Sequence, residues 1–218
     1  MAVVFDCDGT LVDSEPLARL AWERALAPHG YTPTGEDFEL VTGLPFPRVH
    51  EYFAERAPLP GEKAFHRAYL EDLYELFAAK LRPFADAAAA IAALRARGIP
   101  IAVASSSTRE RLELALRLTG YDDFPVMVAG DEVARGKPAP DMFLAAAERL
   151  GVAPAACVAV EDSAPGVAAA RAAGMATLAV CRVPGTEAAL ADADRVVGAL
   201  TADAILELLS DRAAPRST

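Results

Sequence analysis

Residues 2–10 read Ala2-Val3-Val4-Phe5-Asp6-Cys7-Asp8-Gly9-Thr10, and the rest of the chain falls into place around them. Four apolar residues run straight into two carboxylates set two positions apart. A short unbroken apolar run bounded by charge reads as a strand buried on both faces. Two carboxylates at its carboxyl end can enter one pocket once the chain turns, and Gly9 permits that turn. Like charges so close repel, so one pKa rises unless a cation intervenes. An all-oxygen donor set suits Mg2+ rather than Zn2+, and the sequence offers no His or Cys cluster that would suit zinc.

Downstream of this strand the pattern becomes helical. Residues 15–29, 35–42, 46–57 and 61–81 carry apolar side chains at helical spacing. Leu17, Leu20, Ala21, Ala25 and Leu26 form the stripe of the first, and Phe65, Tyr69, Leu73, Leu76 and Phe77 that of the last. From Pro83 onward strands and helices alternate. Strands are expected at 99–104, 126–129, 157–160, 176–180 and 195–197, and helices near 85–97, 108–119, 140–150, 164–173 and 201–209. Alternation of this kind predicts an α/β fold, a Rossmann-like parallel sheet core covered on both faces. The all-helical stretch is then an insert. The expected domains are a core of 1–14 and 83–218 and an inserted helical cap of 15–82. The polar end, 210–218, is expected to fray.

In a parallel sheet of this type, ligands bind beyond the carboxyl ends of the strands. Four polar clusters fall there in order: Asp6 with Asp8, Ser105-Ser106-Ser107, Lys137, and Glu161-Asp162-Ser163. Taken singly, each has a plain structural reading: a turn, a helix cap, a surface loop, another cap. Their convergence on one sheet edge favours chemistry. One carboxylate can be a nucleophile that carries a phosphoryl group, and the other can move the proton. Phosphoryl transfer mainly demands positioning and charge neutralisation. Lys137 and a metal supply positive charge, while Ser105 and backbone N–H groups at the helix start near 108 can bind phosphate oxygens.

Composition narrows the choices. The net charge is −10, and Lys occurs only at 63, 80 and 137, so nucleic acid is not an expected partner. No apolar run approaches membrane-spanning length and no leader pattern is seen, so a cytoplasmic protein is expected. Cys7, Cys157 and Cys181 are far apart and read as buried small hydrophobes. His29, His50 and His66 all lie in the insert and read as packing or surface residues. Oligomeric state is not encoded in any feature of the sequence.

These motifs resemble the haloacid dehalogenase-like hydrolase superfamily, in the branch of β-phosphoglucomutase and sugar-phosphate phosphatases. The segments that carry the resemblance are Val4-Phe5-Asp6-Cys7-Asp8-Gly9-Thr10-Leu11-Val12-Asp13-Ser14-Glu15, Ala104-Ser105-Ser106, Gly136-Lys137-Pro138-Ala139-Pro140-Asp141 and Val160-Glu161-Asp162-Ser163. The resemblance implies that Asp6 is the nucleophile and Asp8 the general acid and base. It implies a phosphoryl group held by Ser105, with Ser106 beside it, and by Lys137. It implies Mg2+ held by Asp6, Glu161, Asp162 and the backbone carbonyl of Asp8, and a helical cap hinged near 13–15 and 82–83. Dehalogenases of the superfamily lack the second Asp, so Asp8 argues against dehalogenation. β-Phosphoglucomutases usually carry a His where Ala18 stands and an Arg near Phe46, and both are missing. The expected function is therefore a Mg2+-dependent phosphatase acting on a small phosphorylated metabolite, such as a sugar phosphate. The alternatives are a phosphomutase and a non-enzymatic ligand-binding protein. Phe46 and Arg48, in Leu44-Pro45-Phe46-Pro47-Arg48, are the candidates for substrate choice.

Overall fold

The computed structural model describes residues 1–41 and 44–213. The chain opens with strand β1 (Ala2–Phe5). Helices α1 (Glu15–Leu26), α2 (Gly35–Val41), α3 (Phe46–Ala54) and α4 (Glu62–Lys80) follow. Then come α5 (Ala85–Ala96), β2 (Ile101–Ser105), α6 (Arg109–Thr119), β3 (Met127–Ala129) and α7 (Asp141–Leu150). The last elements are β4 (Cys157–Glu161), α8 (Ala164–Ala172), β5 (Ala176–Val180), β6 (Arg195–Val197) and α9 (Ala202–Ala213). The chain divides into two compact units, 1–13 with 82–218, and 14–81.

The first unit is a six-stranded sheet in the order β3-β2-β1-β4-β5-β6. Every pairing is parallel, as the alternation of strands and helices predicts. β1, β2, β4 and β5 are buried along their whole length, which explains their unbroken apolar sequences. Alternate side chains serve opposite faces. Val4, Ala102, Ala104 and Ala159 join Met142, Phe143 and Ala146 of α7 and Ala169 and Ala170 of α8 in one core cluster. α9 packs against β4, β5 and α5. Among the described residues, no helix is long and apolar enough to cross a membrane.

The second unit is helical, and α1 packs along α4. Its hub is Trp22, with ring centroids 4.6 Å from Tyr69, 5.4 Å from Phe46, 5.4 Å from Phe53 and 5.7 Å from Phe65. Rings of this size bury roughly 150–250 Å2 each, so they supply much of a small core.

Element boundaries moved where backbone chemistry overrides the apolar pattern. The first helix ends at Leu26 instead of 29, and a single 3-10 turn (Ala27–His29) completes the stretch. Pro28 removes the N–H that would continue the helix. The strand expected from 99 starts at Ile101, because Pro100 cannot donate to a ladder and only offers its carbonyl to Val3 N–H at 3.0 Å. The last helix, expected to stop at 209, runs to Ala213, its Ile205, Leu208 and Leu209 being buried. The fraying expected from 210 therefore does not begin there, and 214–218 lie outside the described residues, as does Thr42 at the expected end of the second helix.

Candidate active site

The strand order decides which residues meet. β1 sits between β2 and β4, so the chain leaving Phe5 emerges between Ser105 and Glu161, the last residues of those strands. Asp6 is 5% exposed, and its N–H donates to Val160 O at 2.9 Å, so it continues the ladder. The loop then closes on itself. Leu11 and Val12 N–H donate to Cys7 O at 2.8 and 3.1 Å, and Gly9 N–H to Val12 O at 2.9 Å. Gly9 takes φ +78°, and a Cβ there would lie 2.1 Å from Asp162 Oδ2. Only glycine fits both the turn and this approach.

Lys137, in the stretch between β3 and α7, is buried and reaches the same point. Its Nζ donates to Asp6 Oδ1, to Glu161 Oε1 at 2.5 Å and to Ala104 O at 3.3 Å. Glu161, fully buried, turns its other oxygen to Asp162 N–H (3.1 Å), Ser163 N–H (3.2 Å) and Ser163 Oγ (2.9 Å). A Cβ on Gly166 would meet its carboxyl carbon at 1.9 Å, so the first turn of α8 is shaped to the carboxylate. Thr10 Oγ1 donates to Asp162 Oδ1 at 3.2 Å.

Asp6, Glu161 and Asp162 each offer an oxygen within 4.8 Å of the others. Three carboxylates around one ammonium leave an excess of negative charge in a buried place. Burial pushes the Asp6 carboxyl well above its ordinary range; Lys137 opposes this, and Glu161 and Asp162 add to it. Burial alone would lower the Lys137 pKa, but the charges of Asp6 and Glu161 overcome it and raise it, so the ammonium stays protonated. A divalent cation among the three oxygens would remove the frustration of Asp6. The hard, all-oxygen donor set fits Mg2+. Cys7 is pushed up by burial and by the Asp8 and Asp6 carboxylates, so it remains a thiol and not a nucleophile.

Asp8 faces a second group of side chains. Its Oδ2 accepts from Ser107 Oγ at 2.7 Å and Ser105 Oγ at 3.4 Å, and its Oδ1 from Arg111 Nη2 at 2.9 Å. Ser105, 1% exposed, also accepts Ser107 N–H at 3.1 Å. Ser106 is exposed, and its carbonyl lies 2.3 Å from where a Gly130 Cβ would stand, so its contribution here is backbone packing. Two of the N–H groups near the helix start are in use. Arg109 N–H goes to Asp131 Oδ1 at 2.9 Å and Arg111 N–H to the cap Thr108 Oγ1 at 3.4 Å. In the helical unit, Phe46 stacks on Trp22 and lies 4.1 Å from the His66 ring, while exposed Arg48 pairs with Glu51 at 2.7 Å.

The sequence gives Ser107 no role apart from its serine run and gives no signal for Arg111. Ser107 was hidden in a serine run that also resembles a cap, and Arg111 lies three residues past the cap with no motif around it. Gly166 gave no signal either, since its role is defined by a carboxylate five residues away.

A family model described as haloacid dehalogenase-like hydrolase matches residues 1–174. The phosphorylated carbohydrates phosphatase of Thermotoga maritima is 35% identical over 179 residues, covering 80% of this chain and 82% of that one. The bifunctional riboflavin kinase/FMN phosphatase of Arabidopsis thaliana is 33% identical over 203 residues, which are 91% of this chain, but the chain spans only 53% of that protein's length. Among solved structures, CbbY from Rhodobacter sphaeroides in complex with phosphate superposes with a TM-score of 0.82 at 31% identity, covering 96% of this chain and 98% of that one. The chain belongs to the haloacid dehalogenase-like hydrolases, and its fold is the α/β core of that family with a helical unit inserted after β1.

Proposed function

We propose that the protein is a Mg2+-dependent phosphatase that hydrolyses a small phosphorylated metabolite through a phosphoryl group carried on Asp6. The observation that carries this reading is Asp6 itself: buried at the end of β1, bonded to Lys137, with oxygens of Glu161 and Asp162 within 4.8 Å. Relatives named as phosphatases support it, as does a structural neighbour holding phosphate. Mg2+, held by Asp6, Glu161, Asp162 and the carbonyl of Asp8, would supply charge neutralisation to the phosphoryl oxygens. An Asp6 carboxylate oxygen attacks phosphorus, the bond to the ester oxygen breaks, and Asp8 delivers a proton to that oxygen. Asp8 then takes a proton from a water that attacks the same phosphorus, and Asp6 is released. Lys137 and Ser105 hold the phosphoryl oxygens through both steps, and Ser106 shapes the same loop by packing its backbone on Gly130. Residues 15–82 are assigned the choice of substrate, with Phe46 and Arg48 as its candidates. The three cysteines are free and buried, which fits a cytoplasmic protein.

Phosphate release from a panel of sugar phosphates, nucleotides and short-chain phosphomonoesters tests this directly. Release that requires Mg2+, stops with chelator and returns on adding the metal is expected. A sugar phosphate converted to its isomer, with a bisphosphate required and no free phosphate, would place the protein among mutases instead.

A further inference from the structure

Arg182 lies two residues beyond β5, outside the four clusters, and its guanidinium is spent on the loop that carries Asp8. Its Nη2 donates to Thr10 O at 2.8 Å and its Nε to Gly9 O at 3.3 Å. Its Nη1 pairs with Asp86 Oδ2 at 2.6 Å, and its plane lies 3.8 Å from the ring centroid of Phe84. Asp86 is itself fixed by Leu200 N–H at 2.7 Å and Ala87 N–H at 2.8 Å. The arginine thus stands on Asp86 of α5 and the flanking Phe84 ring, with Asp86 tied to the segment before α9, and it holds two consecutive carbonyls. Those carbonyls belong to Gly9 and Thr10, the two residues that approach Asp162: Gly9 by the contact that excludes a Cβ, Thr10 by its hydroxyl. Gly9 also follows Asp8 directly.

We propose that Arg182 is a positioning residue for the reaction: it fixes the Gly9–Thr10 segment and thereby the placement of Asp8 and Asp162. The proposal rests on the phosphatase reading for its kinetic consequence, but not for its effect on metal binding. A planar fork suits the task. It serves two carbonyls and a carboxylate in one plane while stacking on a ring, and a Lys ammonium lacks that geometry. Outer partners of metal ligands typically change affinity or activity by roughly 10- to 100-fold when removed, and a displacement near 1 Å at a reacting group has a similar effect.

The test uses the full chain with Arg182→Gln, Arg182→Lys, Asp86→Asn and, as a control, Arg195→Gln, which breaks only the surface pair with Glu207. Mn2+ affinity is followed by electron paramagnetic resonance, kcat and KM by phosphate release, and folding by circular dichroism. Arg182→Gln is expected to weaken Mn2+ binding and lower kcat by about tenfold or more with KM little changed. Arg182→Lys should recover only part of this, Asp86→Asn should give a milder version, and Arg195→Gln should match the parent. A folded Arg182→Gln or Arg182→Lys protein with parental Mn2+ affinity and kcat overturns the proposal. If Arg182→Gln does not fold, the Lys and Asp86→Asn proteins decide the matter by the same two readouts. Weakened Mn2+ binding in a protein that hydrolyses no phosphoester keeps the clamp and removes the phosphatase reading. Unchanged variants of an active phosphatase do the reverse.

Discussion

Asp6 and Asp37 are both buried carboxylates, one in each unit, and their surroundings push them in opposite directions. Asp37 accepts from Tyr52 OH at 2.7 Å, Tyr31 OH at 3.0 Å, Thr34 N–H at 2.7 Å and Thr34 Oγ1 at 2.8 Å. Burial would raise its pKa, but the Thr34 N–H and the three hydroxyl bonds outweigh that and hold it at about 2. Asp6 has Lys137 for a donor and two carboxylates for neighbours, and its pKa is driven up. A buried carboxylate saturated with neutral donors is a structural rivet. One crowded by like charge is unsatisfied without a cation, and such frustration marks reactive sites.

Breaking the reactive member should have the largest effect. Asp6→Asn removes the oxygen proposed to attack phosphorus while nearly preserving shape. It is expected to lower kcat by at least about 10⁴-fold, comparable to losses seen when nucleophiles are removed, with the circular dichroism spectrum unchanged. Next comes the shape of the pocket: Gly166→Ala puts a methyl into the Glu161 carboxylate. Displacing that partner of Lys137 should reduce Mg2+ affinity or kcat by roughly 10- to 100-fold, read by metal titration of phosphate release.

The contrast between the two carboxylates also bears on what the sequence could reveal. Asp6 was legible because its chemistry coincides with a strand end, and apolar strands of four or five residues are hard to mistake. Glu161 and Asp162 were legible for the same reason, while Lys137, in the loop between β3 and α7, was legible only through its company with the other clusters. Asp37 was legible only in part: its reciprocal bonds with Thr34 are a local cap three residues apart, but Tyr31, Tyr52 and Arg56 reach it only once the helical unit packs. Arg111 and Arg182 were silent, because a side chain that works by reaching across the fold leaves no local pattern; Ser107 was visible only as part of its serine run. The parallel sheet was legible in the alternation of strands and helices and the helical unit in the unbroken helical spacing before Pro83, whereas the strand order β3-β2-β1-β4-β5-β6 had no sequence signal. The end of α1 and the start of β2 were shifted by Pro28 and Pro100, whose missing N–H groups act below the scale of apolar periodicity.

Breaking the structural member should cost less. Asp37→Ala removes a set of bonds to a charged group and should destabilise the helical unit by about 2 kcal/mol, read by urea titration followed at Trp22, which lies in that unit. Since the folded pKa of Asp37 is depressed to about 2 from an unfolded value near 3.9, its contribution is complete above about pH 4. It is lost as the pH falls towards 2, and the Ala variant should lack that part of the acid dependence. The smallest effect is expected at Arg48. Its pair with Glu51 is exposed on both sides, so Arg48→Ala should change stability by less than about 0.5 kcal/mol. A severalfold rise in KM for that variant would sharpen the assignment of substrate choice to this segment.

A bond between Asp6 and phosphorus is open to direct detection. Protein quenched in acid during turnover of a substrate it hydrolyses can be digested and its peptides weighed. One phosphoryl group is expected on the peptide containing Asp6, discharged by hydroxylamine and absent from Asp6→Asn. Turnover that leaves that peptide unmodified, together with phosphate release retained by Asp6→Asn, would contradict such a bond.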